Sequence, residues 1–300
     1  MNDCIFTLDA GGTYLKYALM TGEGEPLPDA QGQSPAPSSG TREEIEAAFR
    51  AVGRFAREHA AAHGLRLAGM AVSFPGPFDF DAGISRMAHK YAAIRDVPLT
   101  PLLTAETAPV PVSYLHDSTA FLLGEAVRGA AVGCARPAGV MLGTGLGFAA
   151  MADGRVLVNP AQGPRLSLWN VPYGQGICED AVSRRAILRA YGGDPALDVK
   201  DIARMAFAGD QCARAVFDRL AEDMAAILAP VLALLHTDVL VVGGQIAKSG
   251  TLFLPRLEAR LGLPVRAAAL IANGALYGAW YYACHGRAAC VQAGEPIILN

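Results

Sequence analysis

The chain has 300 residues, which is enough for two domains that each bury a hydrophobic core. It is 52% hydrophobic and 18% charged with a formal net charge of -3, so its composition excludes a disordered chain and a basic nucleic-acid-binding surface. The first residues lack the pattern of a secretion signal, and no long uncharged apolar stretch would span a bilayer. We therefore expect a cytoplasmic protein with no membrane or nucleic-acid partner.

The chain begins with two apolar runs, Cys4–Leu8 and Tyr14–Met20, which predict a β-hairpin. Between them lies Asp9–Thr13 (DAGGT). Glycines let a backbone turn sharply and approach a phosphate, and an aspartate beside them can hold a metal-bound water. A plain Gly-Gly hairpin turn explains the same segment equally well.

A Pro-, Gly- and Ser-rich segment from Gly22 to Gly40 follows and predicts an exposed loop. A capping-box pattern at Thr41 and Glu44 then opens a helix that ends near His63. Two further strands are predicted at Leu67–Phe74 and Val110–Leu115. Alternating strands and helices indicate a sheet covered by helices.

A dipeptide with possible chemistry, His116-Asp117, ends the second of these strands. A carboxylate there could accept a proton from a hydroxyl that attacks a phosphoryl group. An aspartate after a strand also serves commonly as the N-cap of the next helix, and the following residues do predict a helix. The sequence leaves both roles open.

The second half repeats the opening pattern. A strand at Ala138–Leu142 runs into Gly143–Gly147 (GTGLG), and a second hairpin is predicted around Asp153-Gly154. Because a strand and not a helix follows these glycines, the segment does not fit a dinucleotide-binding fingerprint. It predicts a second phosphate loop, so two related lobes would face one cleft. The later elements are two helices and a buried strand that ends at a glycine pair: Asp180–Tyr191, Ala213–Leu235 and Asp238–Val242 with Gly243-Gly244.

In this order the segments resemble the ROK family of sugar kinases and related repressors over most of the chain. The matching segments are Asp9–Thr13 with Lys16 as the first phosphate motif, Ser73–Pro77 as the substrate loop, His116-Asp117 with Leu123–Glu125 and Arg128–Ala130 as the base and its helix, Gly143–Gly147 as the second phosphate motif, Val241–Gln245 as the adenosine motif and Asn273–Ala279 as the connecting helix. A full repressor is not expected, because no helix-turn-helix pattern precedes Cys4.

The resemblance implies an α/β protein with two ribonuclease-H-like lobes around a central cleft, the actin-like ATPase fold. Residues 1–118 would form the N-terminal lobe and residues 119–300 the C-terminal lobe. A last helix at about 284–300 would pack back on the first lobe. The family also implies a homodimer.

The same resemblance implies transfer of the γ-phosphoryl group of ATP to a sugar hydroxyl, with Asp117 as general base and Mg²⁺ between Asp9 and the phosphates. The nucleotide would be bound by Asp9, Gly11, Gly12, Thr13, Lys16, Gly143, Thr144, Gly145, Gly147, Gly243, Gly244 and Gln245. The sugar would be bound by Ser73, Pro75, Gly76, Lys90, His116, Arg165 and Glu179.

The sequence departs from the family pattern mainly at residues that would bind the sugar. The Glu-x-Gly-His segment that binds sugar and zinc in the family is replaced by Gly163–Trp169, and Cys178 has no cysteine partners nearby, so we expect no structural zinc. His116 replaces an asparagine beside the base, and the loop Ala88–Tyr91, which contains His89 and Lys90, stands where the family places a sugar-binding asparagine. These changes favour an altered sugar, such as one with an acidic group, over glucose. Two alternatives stay open: ordinary solvated roles for Lys90 and Arg165, and a non-catalytic sugar or nucleotide sensor on the same fold.

Overall fold

The computed structural model describes residues 2–192, 194–271 and 273–299, so the outer limits of the two predicted lobes, residues 1 and 300, lie outside it. The first part of the chain contains β1 Asp3–Ala10, β2 Tyr14–Thr21, β3 Pro26–Pro35, α1 Arg42–Ala62, β4 Arg66–Phe74, β5 Phe78–Asp79, β6 Ile84–Ser85, α2 Thr100–Leu103 and β7 Val112–His116. Five of these strands form one sheet in the order β3-β2-β1-β4-β7.

The second part contains α3 Asp117–Arg128, β8 Pro137–Leu142, β9 Leu146–Ala152, β10 Arg155–Val158, β11 Pro172–Tyr173, β12 Gly176–Ile177, α4 Cys178–Val182, α5 Arg184–Tyr191, α6 Val199–Phe207, α7 Gln211–Leu234, β13 Val239–Gly243, α8 Leu254–Leu261, β14 Val265–Ala267, α9 Gly274–His285, α10 Arg287–Cys290 and β15 Val291–Ala293. A second sheet has the order β14-β13-β8-β9-β10-β15.

Both sheets are built around an antiparallel hairpin. In the first sheet β1 pairs with β2, and in the second β8 pairs with β9. Each hairpin is extended by a parallel strand, β4 beside β1 and β13 beside β8. The carboxyl ends of the parallel strands therefore lie at the same end of each sheet, next to the hairpin turn that carries the glycines.

The predicted helix after residue 40 is confirmed as α1. Its capping box is complete, because the Glu44 carboxylate accepts from the Thr41 amide (2.8 Å) and the Thr41 hydroxyl accepts from the Glu44 amide (3.3 Å). Ile45 and Phe49 of this helix are fully buried. They belong to the same hydrophobic core as Phe6 and Leu8 of β1.

The expected loop at residues 22–40 is wrong in part, because residues 26–35 form the edge strand β3 against β2. Only one of its side chains, Ala30, is buried, so the segment has almost no apolar pattern. Proline is tolerated on an edge strand, where one row of amides needs no partner. The prolines that suggested a loop are therefore compatible with the strand.

The two sheets are joined by the helices α3 and α9, which pack very closely. A Cβ added at Gly278 of α9 would lie 1.8 Å from the Ala120 carbonyl oxygen of α3. Trp280 of α9 also donates from its indole to the Thr21 carbonyl of β2 (3.0 Å). The helix that begins at Asp117 is thus fixed against both sheets.

The tail differs from its prediction. The expected last helix at 284–300 is replaced by the short helix α10 and strand β15, which pairs with β10 of the second sheet. The helix that packs on the first sheet is α9, which ends at His285. Gly286, with φ of 76°, separates the two parts, a conformation that glycine adopts easily. Among the described residues, no helix combines the length and the apolar character needed to cross a membrane.

Candidate active site

Three of the predicted site segments lie at the carboxyl ends of neighbouring strands in the first sheet. In the parallel register Asp9 of β1 lies beside Ser73 of β4, and Phe74 lies beside His116 of β7. The buried Ser73 hydroxyl donates to the Asp9 carboxylate at 3.1 Å. Asp9, which precedes the first glycine turn, and the His116-Asp117 pair therefore lie at the same end of the first sheet.

Asp9 is a perturbed carboxyl group. Its pKa is raised from 3.8 to about 6, chiefly because burial disfavours the charged form, and the negative charge of Asp117 adds to the rise. The positive charge of Lys16 and the hydrogen bond from Ser73 oppose it. Because the charge of Asp117 acts on Asp9, the two carboxylates lie near one another.

Asp117 is affected in the opposite direction. Burial alone would raise its pKa, but the charge and hydrogen bond of His116, the amide of Ser118 and the charge of Lys90 together lower it. The His116 Nδ1 lies 2.9 Å from Asp117 Oδ1, and the Ser118 amide donates to the same oxygen at 2.6 Å. About 33% of the Asp117 side chain is exposed. It is thus an ionised carboxylate that a hydroxyl group can reach.

The capping role considered for Asp117 falls to its neighbour. Helix α3 begins at Asp117, and His116 occupies the N-cap position with an extended backbone, its Nδ1 lying 3.3 Å from the Ser118 amide nitrogen. The other side of the ring faces the predicted substrate loop, because a Cβ added at Gly76 would lie 3.3 Å from His116 Nε2. The structure therefore places Gly76 of the predicted substrate loop against His116, which itself lies beside the Asp117 carboxylate.

The first glycine turn is held in place by its carbonyl groups. The Gly11 carbonyl accepts from the Tyr91 hydroxyl (2.8 Å), and the Gly12 carbonyl accepts from the Ser38 hydroxyl (2.5 Å). The Thr13 carbonyl accepts from a backbone amide at Ala36 (2.9 Å). The sequence analysis did not identify Tyr91 or Ser38 as contributors, and the signal available in the sequence was an aromatic residue directly after Lys90.

Lys90 reaches this turn from the loop beyond the substrate segment. A Cβ added at Gly12 would lie 3.2 Å from Lys90 Cε and 3.4 Å from its Nζ. The side chain is partly buried. Lys90 therefore lies against the first phosphate motif, whereas His89 beside it is exposed.

The second glycine segment is arranged around Glu179. Its Oε2 accepts from the Leu146 amide at 3.1 Å, and a Cβ added at Gly145 would lie only 2.6 Å from the same oxygen. Arg185 holds the other carboxylate oxygen at 3.2 Å. Glu179 thus contacts the second phosphate motif itself, a partner that sequence analysis did not identify. The predicted residues Gly143, Thr144 and Gly147 lie in this same loop, and Thr144 is exposed.

The glycine pair Gly243-Gly244 lies at the carboxyl end of β13 in the second sheet. Gly244 has φ of 87°, and a Cβ there would lie 2.2 Å from the Leu142 carbonyl oxygen, so the position requires glycine. A Cβ at Gly243 would lie 2.5 Å from the Phe121 ring, one helical turn after Asp117. Helix α3 therefore connects the carboxylate to the end of β13, where Gln245 is exposed.

Arg165 is not part of this arrangement. Its Nε donates to the Glu295 carbonyl at 2.9 Å, and its side chain lies with Leu157 and Ile297 near the C-terminal tail. The structure pairs residues 158 and 164 across a short bridge, so the chain turns back along β10 and carries Arg165 away from the glycine loops. This position agrees with an ordinary surface role for Arg165, the alternative to sugar binding that the sequence left open.

A cavity of about 760 Å³ is lined by none of the predicted site residues. It is lined by residues of β11–β12, α4, α5 and α7, among them Tyr173, Asp180, Arg189, Arg219 and Asp223. In the part of the chain that the structure describes, no group of three or more His, Cys, Asp or Glu side chains is arranged to hold a metal ion.

Comparisons with known proteins agree with this arrangement. A sequence profile of the ROK family matches residues 5–162 and 174–269. A glucokinase of Halalkalibacterium halodurans is 26% identical, over 84% of this chain and 83% of its own. A ROK hexokinase structure from Thermus thermophilus superimposes with a TM-score of 0.73 at 26% identity, covering 92% of this chain and 96% of the hexokinase. A Streptomyces griseus ROK glucokinase solved with glucose and AMPPNP has a TM-score of 0.72 at 22% identity, with 93% and 98% covered. The two sheets thus form the actin-like ATPase fold, and the chain belongs to the ROK family.

Proposed function

We propose that this protein is an ATP-dependent kinase that transfers a γ-phosphoryl group to a hydroxyl of a sugar or sugar derivative. The observation that carries the proposal is Asp117, a partly exposed carboxylate with a lowered pKa at the end of β7. Its neighbours are the glycine turn of the first sheet and, through α3, the glycine pair of the second. The names of the glucokinase and hexokinase relatives support the same activity.

Asp117 would act as the general base. The sugar hydroxyl oxygen forms a bond to the γ-phosphorus, the bond from that phosphorus to the β–γ bridging oxygen breaks, and ADP leaves with the bonding electrons. The hydroxyl proton passes to an Asp117 carboxylate oxygen. Because Ser118 and His116 both contact Oδ1, Oδ2 is the oxygen left for the sugar.

The two glycine segments would bind the phosphates of ATP. The turn at Gly11–Thr13 has its carbonyl oxygens tied to the protein, which fixes the plane of each peptide and the direction of each amide. Gly143–Gly147 would contribute the second group of amides. Gly243, Gly244 and Gln245 would lie beside the adenosine.

The carboxylates fit a magnesium ion. Asp9 and Asp117 raise each other's energy when both are charged, and a cation between Asp9 and the phosphates would relieve that repulsion. Asp9 would hold the ion, directly or through water. When bound, Mg²⁺ would neutralise charge on the phosphates of ATP.

On the sugar side, Ser73, Pro75, Gly76, His116 and Glu179 would surround the acceptor. Four further properties are predictions from the sequence. They are the absence of structural zinc, homodimer formation, a cytoplasmic location and a lobe boundary at residue 118. The imidazole beside the base and the missing Glu-x-Gly-His segment favour a sugar other than glucose.

The test is ADP release with Mg²⁺ and ATP against hexoses, amino sugars, N-acetylated sugars and sugar acids, beside a reaction without sugar. Turnover with one class supports the kinase and names the substrate class. Silence with every class, while ATP still binds, would refute the kinase and favour the non-catalytic sensor.

A further inference from the structure

Lys90 is held at the first glycine turn by the residue that follows it. The Tyr91 side chain is fully buried, its hydroxyl donates to the Gly11 carbonyl, and its amide donates to the Ser38 carbonyl at 2.6 Å. Burial and the charge of Asp9 both raise the pKa of Tyr91, so the hydroxyl keeps its proton. The chain at Lys90 is therefore anchored directly to Gly11 of the turn and, through Ser38, whose hydroxyl donates to the Gly12 carbonyl, a second time.

The Lys90 ammonium lies where ATP and the acceptor would meet. Its last carbons lie over Gly12, and its charge contributes to the lowered pKa of Asp117. Within the described ranges it has neither a hydrogen-bond acceptor nor an ion-pair partner, although the side chain is partly buried. Lys16 is a separate cation, placed opposite Asp9 in the β1–β2 register.

The Lys90 side chain is partly buried, and among the described residues no carboxylate lies within ion-pair distance of its ammonium, an arrangement suited to an anionic oxygen. Two anions could supply it: the γ-phosphoryl group of ATP, or an acid group on the sugar. The position over Gly12, in the phosphate motif, favours the first. Phosphoryl transfer spreads negative charge over the oxygens of the transferred group, which a fixed cation stabilises.

We propose that Lys90 is a further catalytic residue, whose ammonium binds a γ-phosphoryl oxygen while the group is transferred. This proposal rests on the proposed kinase function. It gives Lys90 a role on the nucleotide side of the site, in contrast to the sugar-binding role expected from its place in the sequence.

The first test compares Lys90→Met, which keeps most of the length of the side chain and removes the charge, with Lys90→Arg, which keeps the charge. Lys200→Met is the matched control, since Lys200 is exposed on α6. With a neutral sugar, we expect kcat of Lys90→Met to fall about 100-fold with little change in the KM for sugar. Lys90→Arg should recover part of the rate, and the control should equal wild type. Equal kcat in Lys90→Met and wild type would refute the proposal.

A second measurement does not depend on turnover. Calorimetry would give the affinities of wild type and Lys90→Met for ADP and for a non-hydrolysable ATP analogue. The proposal predicts a loss of affinity for the analogue only. Unchanged affinities, or equal losses for both nucleotides, would contradict it. A defect confined to sugar acids would also contradict it and would assign Lys90 to the sugar. If wild type turns over no sugar, the kinase proposal fails, and the calorimetry still decides whether Lys90 binds the γ-phosphoryl group.

Discussion

Replacement of Asp9 by asparagine should stabilise the free protein and inactivate it. Burial makes the charged form of Asp9 costly, and the rise of its pKa from 3.8 to about 6 corresponds to about 3 kcal/mol at ~1.4 kcal/mol per pKa unit. Asparagine keeps the shape and can still accept from Ser73, but it never ionises.

The sign of the pH dependence follows from linkage. An acid whose pKa is higher in the folded state contributes stability below 3.8 and loses it as the pH rises through 6. Wild type should therefore lose stability relative to Asp9→Asn between pH 4 and pH 8. At pH 8 the variant should be about 1 to 3 kcal/mol more stable.

The assay is urea unfolding of both proteins across this pH range without nucleotide. Asp153→Asn is the matched control, because Asp153 lies in an exposed turn of the second sheet. Its difference from wild type should not follow the same curve. A flat difference for Asp9→Asn, or a less stable variant at pH 8, would refute the reasoning. Addition of Mg²⁺ and ATP should stabilise wild type more than the variant.

Three further substitutions test the surroundings of the site. Glu125→Gln should cost about 2 to 3 kcal/mol in urea unfolding, because the buried carboxylate accepts from three backbone amides and an amide group cannot accept them all; an unchanged midpoint would contradict this. Gly244→Ala should lower the melting temperature and nucleotide affinity, since a Cβ would collide with the Leu142 carbonyl; wild-type values of both would contradict the predicted strain. Gly145→Ala should displace the flexible side chain of Glu179, so we expect weaker ATP binding in calorimetry and an unchanged melting temperature. Unchanged ATP affinity would argue against a phosphate role for this loop.

Much of the fold could be predicted because the informative residues are local. The glycine turns, the strands before them and the capping box at Thr41 depend on short-range patterns that keep their meaning in the folded chain. The order of these segments then indicated the family. In the same way, Asp117 was identified from its position at the end of an apolar strand.

The remaining features depend on contacts that sequence patterns do not record. Strand β3 forms because its backbone pairs with the open side of β2. Arg165 lies near the C-terminal tail because the chain turns back along β10 before it. The predicted helix at 180–191 is divided at Ser183, which has an extended backbone. Tyr91 contributes through long-range hydrogen bonds to Gly11 and Ser38, and the first of these joins residues that are 80 positions apart in the chain.

The most direct test of the account is the kinetics of Asp117→Asn with the sugar that wild type phosphorylates. Asparagine keeps the hydrogen bond from the Ser118 amide but cannot take the proton. The account predicts that turnover falls by on the order of 10³-fold while ATP affinity in calorimetry stays close to wild type. Full phosphoryl transfer by Asp117→Asn would show that another group accepts the proton and would contradict the account.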